Sequence, residues 1–133
     1  MDRYAVVPPD MAALYTEWQM APGLATGGFL FLTGMTGVGA DGRLSPDPET
    51  QIRAAFDAVG AVLREAGLGF GDMVEMTSYH IGLRDHLALF RQVRTEHIAE
   101  PWPAWTAVEV AGFVSQGVIV ELRVIARMRP PGP

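Results

Sequence analysis

The carboxylate of Glu121 stands in the apolar strand pattern Val118-Ile-Val-Glu-Leu, where an acid is costly unless it is paired or used. Two uses fit. A salt bridge to Arg123 is the plainer one, because strand alternation puts that side chain on the same face about 7 Å along. A general base that orients and deprotonates water is the other. The three histidines, His80, His86 and His97, match no compact metal-ligand spacing, so no metal site is expected. His80, near the end of an apolar strand, reads either as a general base or as a hydrogen-bonded structural histidine, the second being the commoner case. Thr33-Gly-Met-Thr-Gly-Val-Gly places glycines at 34, 37 and 39 without a following Lys-Ser/Thr or an immediate helix, which favours a strand exit over a phosphate loop. Ser45, Ser78 and Ser115 have no nucleophile-elbow context. The chain has no cysteine, which removes thiolate chemistry and disulfides and fits a reducing compartment.

These residues need elements to hold them. The clearest is a helix over residues 48–66, in which Ile52, Ala55, Phe56, Val59, Val62, Leu63 and Ala66 recur at helical spacing and Arg53, Asp57 and Arg64 face out. Asp47 is its expected N-cap, Pro48 its first residue and Gly67 its left-handed stop. A second helix is expected from His86 to about Ile98, capped by Asp85, with Leu87, Phe90, Val93 and His97 or Ile98 as its stripe and Pro101 and Pro103 ending it. Strands are expected over residues 29–33, 73–81, 105–110 and 118–128, with a shorter one near 3–7. Strand, hairpin, helix, strand, helix, strand, strand describes an α+β domain with both helices on one face of a mixed sheet. The other face, rich in Val, Leu and Met, must be buried elsewhere, which predicts a homo-oligomer.

The 133 residues suit one domain, with residues 130–133 expected to trail off. A net charge of −5 opposes a phosphate backbone, so no nucleic-acid partner is expected; Arg123, Arg127 and Arg129 alternate with apolar residues and share their segment with Glu121. No secretory leader and no membrane-length apolar run is legible, and a cytoplasmic protein with no membrane partner is expected.

Phe29-Leu-Phe-Leu-Thr-Gly-Met, residues 51–67, Asp72-Met-Val-Glu-Met-Thr, Pro103-Ala-Trp-Thr-Ala-Val-Glu-Val and Val120-Glu-Leu-Arg-Val-Ile-Ala occur in an order that resembles the reactive intermediate deaminase family, also called YjgF-type or L-PSP endoribonuclease. The likeness covers about residues 22–128. It implies a chorismate-mutase-like (ferredoxin-like) α+β fold, a homotrimer around a central barrel and ligand clefts between subunits. It also implies hydrolysis of imines and enamines to a carbonyl compound and ammonia, without a cofactor. In the family an arginine of a Pro-Ala-Arg-Ser/Thr motif holds the substrate carboxylate and a strand glutamate positions water. Trp105 stands at the arginine position, and an indole cannot form the bidentate charged pair that a guanidinium makes. Glu121 matches the glutamate, and Thr33-Gly34-Met35 matches the Ser-Gly-Gln turn with Met35 for glutamine. An N-terminal aromatic is replaced by Gly23-Leu24, and the asparagine early in the second helix has no counterpart among residues 87–90. The resemblance thus implies a small-molecule cleft with Glu121 as its catalytic residue and the only ionisable group retained from the family's set. Gly34, Met35, Trp105 and Thr106 are the expected binding residues, and Trp105 is a stacking wall for a flatter ligand. A trimeric binding or regulatory protein that has lost catalysis is the alternative.

Overall fold

The computed structural model describes residues 2–129; the tail expected at 130–133 lies outside the described residues. Six strands form one sheet in the order β1-β2-β3-β6-β4-β5: β1 (Tyr4–Val6), β2 (Gly23–Thr26), β3 (Phe29–Leu32), β4 (Met73–His80), β5 (Ala104–Glu109) and β6 (Val120–Arg127). Gly27 and Gly28, with φ of 61° and 84°, form the two-residue turn between β2 and β3; both central positions of such a hairpin need positive φ, which glycine reaches without strain. Only β4 and β5 pair in parallel; the other neighbours are antiparallel. A parallel neighbour needs a crossover, and α3 (Leu83–Thr95) supplies it. Helix α2 (Pro48–Glu65) makes a second crossover, from β3 to β4, leaving the slot between them for β6.

The start and stop signals of α2 act as expected. Asp47 accepts a hydrogen bond from the Thr50 N–H, and Pro48 occupies the first turn, where its missing N–H costs nothing. At the other end Gly67 sits at φ 76°, its N–H donating to Arg64 O while Leu68 N–H donates to Leu63 O, so the last carbonyls are satisfied. Ile52, Ala55, Phe56, Val59, Val62 and Leu63 are buried with Leu30, Leu32, Met76, Leu122 and Val124, which places α2 on one face of the sheet. Phe90 and Val93 of α3 join the same core.

Helix α3 corrects two expectations. It begins at Leu83 rather than His86, and Asp85 does not cap it. Gly82, at φ 74°, precedes the helix, and the carboxylate of Glu109 on β5 accepts from the N–H groups of Gly82 (3.0 Å) and Leu83 (2.8 Å). The cap comes from 27 residues away in sequence, beyond any local signal. His86, at φ −126°, interrupts the first turn. A short third helix, α1 (Ala12–Thr16), is an addition to the expected two, and β6 is shorter than residues 118–128. Both long helices do lie on one face, in an α+β arrangement with a mixed sheet.

Alternation sends Phe29, Phe31, Tyr79, Glu121, Arg123 and Ile125 to the opposite face. Phe29 and Val108 are exposed there, and β5 is an edge strand.

Candidate functional site

Glu121 lies in the middle of that helix-free face, in register with Tyr79 of the neighbouring strand. It makes no hydrogen bond or ion pair with a described residue, so the expected salt bridge to Arg123 does not form; Arg123 is exposed and registers with Thr77. Half-burial pushes the Glu121 carboxyl pKa above its ordinary value. An uncompensated, partly desolvated carboxylate is a better proton acceptor than a solvated one.

Gly34 makes room for it. A Cβ at that position would sit 2.6 Å from Glu121 Cδ and Oε2, closer than any carbon tolerates. The neighbouring residues fix this approach: Met35 N–H donates to Leu122 O and Leu122 N–H to Met35 O, each at 2.8 Å. The double bond turns the Met35 side chain into the core, where it is 4% exposed. Among the expected binding residues, then, Gly34 lies against Glu121 and Met35 serves through its backbone. Gly37 is held to glycine by a close approach as well. A Cβ at Gly37 would meet Gln51 O at 2.8 Å, where the loop crosses the start of α2.

Trp105 and Thr106 separate across the sheet. Thr106 registers with Thr77 on the Glu121 side, whereas Trp105 registers with Met76 on the side of the helices. One chain therefore does not bring Trp105 to Glu121. What the structure does assemble around Trp105 was not legible as a unit. Its indole N–H donates to Ser78 Oγ at 2.8 Å, and Ser78 Oγ lies 2.8 Å from His80 Nε2. An indole can only donate, so Ser78 accepts there and its own O–H is free for His80. In the tautomer that accepts this bond on Nε2, the His80 proton is on Nδ1, 3.4 Å from His86 Nε2. His80 is fully buried; burial, and then His86, lower its pKa to about 4. It is the hydrogen-bonded structural histidine, and strand alternation keeps it off the Glu121 face.

The guanidinium of Arg94, from α3, lies over the Trp105 ring at 4.3 Å, with Phe90 at 5.8 Å from the same indole. The indole expected as a stacking wall thus already carries a cation in this chain. Arg94 was not among the expected site residues. The available signal was position: Arg94 follows Phe90 by four residues and Val93 by one, so it borders the apolar stripe of its helix.

A surface hollow at the start of α3, lined by Gly82, Leu83, Arg84, Asp85 and Glu109, contains none of the expected residues. Glu109 already occupies the helix N–H groups there. Among the described residues no three His, Asp or Glu side chains group as metal ligands, and no helix is long and apolar enough to cross a membrane.

Comparison with known proteins matches the family described as Endoribonuclease L-PSP over residues 10–128. RutC family protein YjgH of Escherichia coli strain K12 is 36% identical over 129 residues, 96% of this chain and 97% of that protein. The 2-iminobutanoate/2-iminopropanoate deaminase of the same strain is 35% identical over 91 residues, 66% of this chain and 70% of the deaminase. A solved structure of protein YJGH has a TM-score of 0.89 at 35% identity, covering 98% of this chain and all of that one.

Proposed function

Because the chain belongs to the reactive intermediate deaminase family, the YjgF-type or endoribonuclease L-PSP group, we propose that it hydrolyses an imine or enamine at a cleft completed by a second copy within a homotrimer. The unpaired Glu121 carboxylate held against Gly34 carries this reading. A relative named for deaminating 2-iminobutanoate and 2-iminopropanoate supports the reaction class.

In the reaction, Glu121 accepts a proton as a water oxygen bonds to the imine carbon, and the C=N π pair moves to nitrogen, which takes a proton from solvent that the later release of the hydroxyl proton returns. In the resulting carbinolamine the proton held by Glu121 passes to the amine, the C–N bond breaks, and the hydroxyl proton is released as C=O forms. One imine and one water give one carbonyl compound and one ammonia, and Glu121 is returned unchanged. The Gly34 N–H donates to no described residue and is placed to receive the polar end of the substrate. Removal of a general base typically costs 10²–10⁴-fold, enough for a substrate that already hydrolyses unaided. Trp105 and Thr106 line opposite sides of one subunit's sheet, so each contributes to a cleft only where subunits meet. The exposed Phe29 and Val108 on the helix-free face, and the β5 edge, favour such assembly. The reaction as written uses no cofactor, and a cytoplasmic, metabolite-clearing role is part of this reading.

The test is the loss of 2-iminobutanoate, generated in situ by an amino-acid oxidase, measured with and without the purified protein. Acceleration that falls at least 10²-fold in Glu121→Gln is expected, with activity in the wild type rising with pH through a midpoint above the ordinary glutamate value. No acceleration of this imine or of an uncharged one sinks the proposal. The tryptophan at position 105 favours a second reading, a ligand-binding protein without turnover. Stabilisation by small ligands in a thermal-shift screen, with no imine loss, would establish it.

A further inference from the structure

Arg94 is a charge without a counter-charge. Its Nε is buried without a hydrogen-bond partner among the described residues, and burial, followed by the nearby Arg91, draws its pKa down. Its terminal nitrogens bond to no described residue, yet they are not enclosed as Nε is. The acids that could have neutralised it are engaged elsewhere. Glu96, two residues on, binds Arg53 through both carboxylate oxygens, at 2.8 and 3.1 Å, and Glu109 is committed to the N–H groups of Gly82 and Leu83. A half-buried guanidinium costs free energy that the stacking on Trp105 only partly offsets.

The mounting is rigid where the charge is open. Trp105 is fixed by its bond to Ser78, Ser78 is fully buried and bonded to His80, and Phe90 lies beside the indole. The guanidinium carbon lies over this held ring, 4.3 Å from its centre, and its terminal nitrogens are left available. A guanidinium's planar fork of donors matches a carboxylate, which takes two parallel N–H···O bonds.

We propose that Arg94, carried on the Trp105 ring, is the anchor for a small organic carboxylate, so that the cation at this site comes from α3 rather than from the strand. The ligand class is a 2-imino or 2-oxo acid, which rests on the deaminase reading above. The strand position held by Trp105 then supplies orientation instead of charge.

The probes are 2-oxobutanoate and its uncharged counterpart 2-oxobutanamide, titrated calorimetrically into the intact oligomer at low salt. The wild type should bind the carboxylate about tenfold to hundredfold more tightly than the amide, the range expected of a charge-assisted pair. Arg94→Met should abolish that preference, and Arg91→Met, an equal change of charge on the same helix, should keep it. If Arg94→Met does not fold, Arg94→Lys decides the matter, since it retains charge but lacks the fork; a clear loss of preference is expected there too. Equal binding of the two probes by the wild type, or an unchanged preference in a folded Arg94 variant, overturns the proposal. The outcome is independent of turnover. Carboxylate preference without imine hydrolysis leaves the anchor standing and removes the deaminase reading, and hydrolysis untouched by the Arg94 variants does the reverse.

Discussion

An alanine at position 34 would place its Cβ 2.6 Å from the carboxylate carbon of Glu121, inside any tolerable contact. The backbone cannot retreat, because Met35 and Leu122 are bonded to each other in both directions. The carboxylate, the far end of a flexible side chain without a hydrogen-bond partner among the described residues, must therefore swing away at little cost in stability. Gly34→Ala is expected to lower imine turnover to within about tenfold of Glu121→Gln while melting only a few degrees below the wild type. Steady-state rates beside a thermal melt check this; full activity in a folded Gly34→Ala protein would show that the close approach is irrelevant to catalysis. At this scale the sequence was partly legible. Glu121 was visible as an acid among Val, Ile and Leu, and Gly34 as one glycine of several. That the two meet depends on β6 lying next to the segment after β3, which nothing local announces. Arg94 was missed for a related reason: its partner Trp105 lies beyond the turn that follows the helix, and a lone arginine beside a helical stripe is ordinarily a solvated one.

Helix α2 could be read nearly to the residue because its signals are local, from Asp47 through Pro48 to Gly67. Helix α3 could not, since its N-terminal carboxylate comes from β5 and its first turn breaks at His86. The contact between α3 and β4 is where acid should act. His80 has a folded-state pKa of about 4, well below the 6.5 of an unfolded histidine, so between these values the unfolded chain binds the extra proton. Its contribution is whole above pH 6.5 and is lost as pH falls toward 4, a difference of about 3 kcal/mol for a shift of this size. His86, whose pKa is also lowered, acts in the same direction. Urea unfolding of the wild type between pH 7.5 and 4.5 should show this decline, and His80→Asn should decline less steeply. Parallel slopes for the two proteins would mean that His80 does not carry the effect.

The two faces of the sheet divide the chemistry of the molecule, with Glu121 on one and Trp105 with Arg94 on the other. A cleft that uses both has to draw them from different subunits. Glu121→Gln and Arg94→Met chains, each expected to be impaired alone, should regain activity when refolded together, because about a quarter of the clefts then receive both intact residues. Light scattering would show the assembly itself, for which a trimer is expected. Recovery no greater than the sum of the separate variants would place the working residues within a single chain.

The position of β6 has a consequence for how the protein comes into being. It is the last strand in sequence, yet it lies between β3 and β4 and is bonded to both. Until residues 120–127 have left the ribosome, β3 and β4 have no common partner, and the nascent chain carries three helices and an incomplete sheet. Closing the sheet must then wait for those residues and be slow relative to a protein of local contacts, since the closing pairs join distant parts of the chain. A chain that stops before residue 120 lacks the strand that joins β3 to β4, and that strand is the one that delivers Glu121.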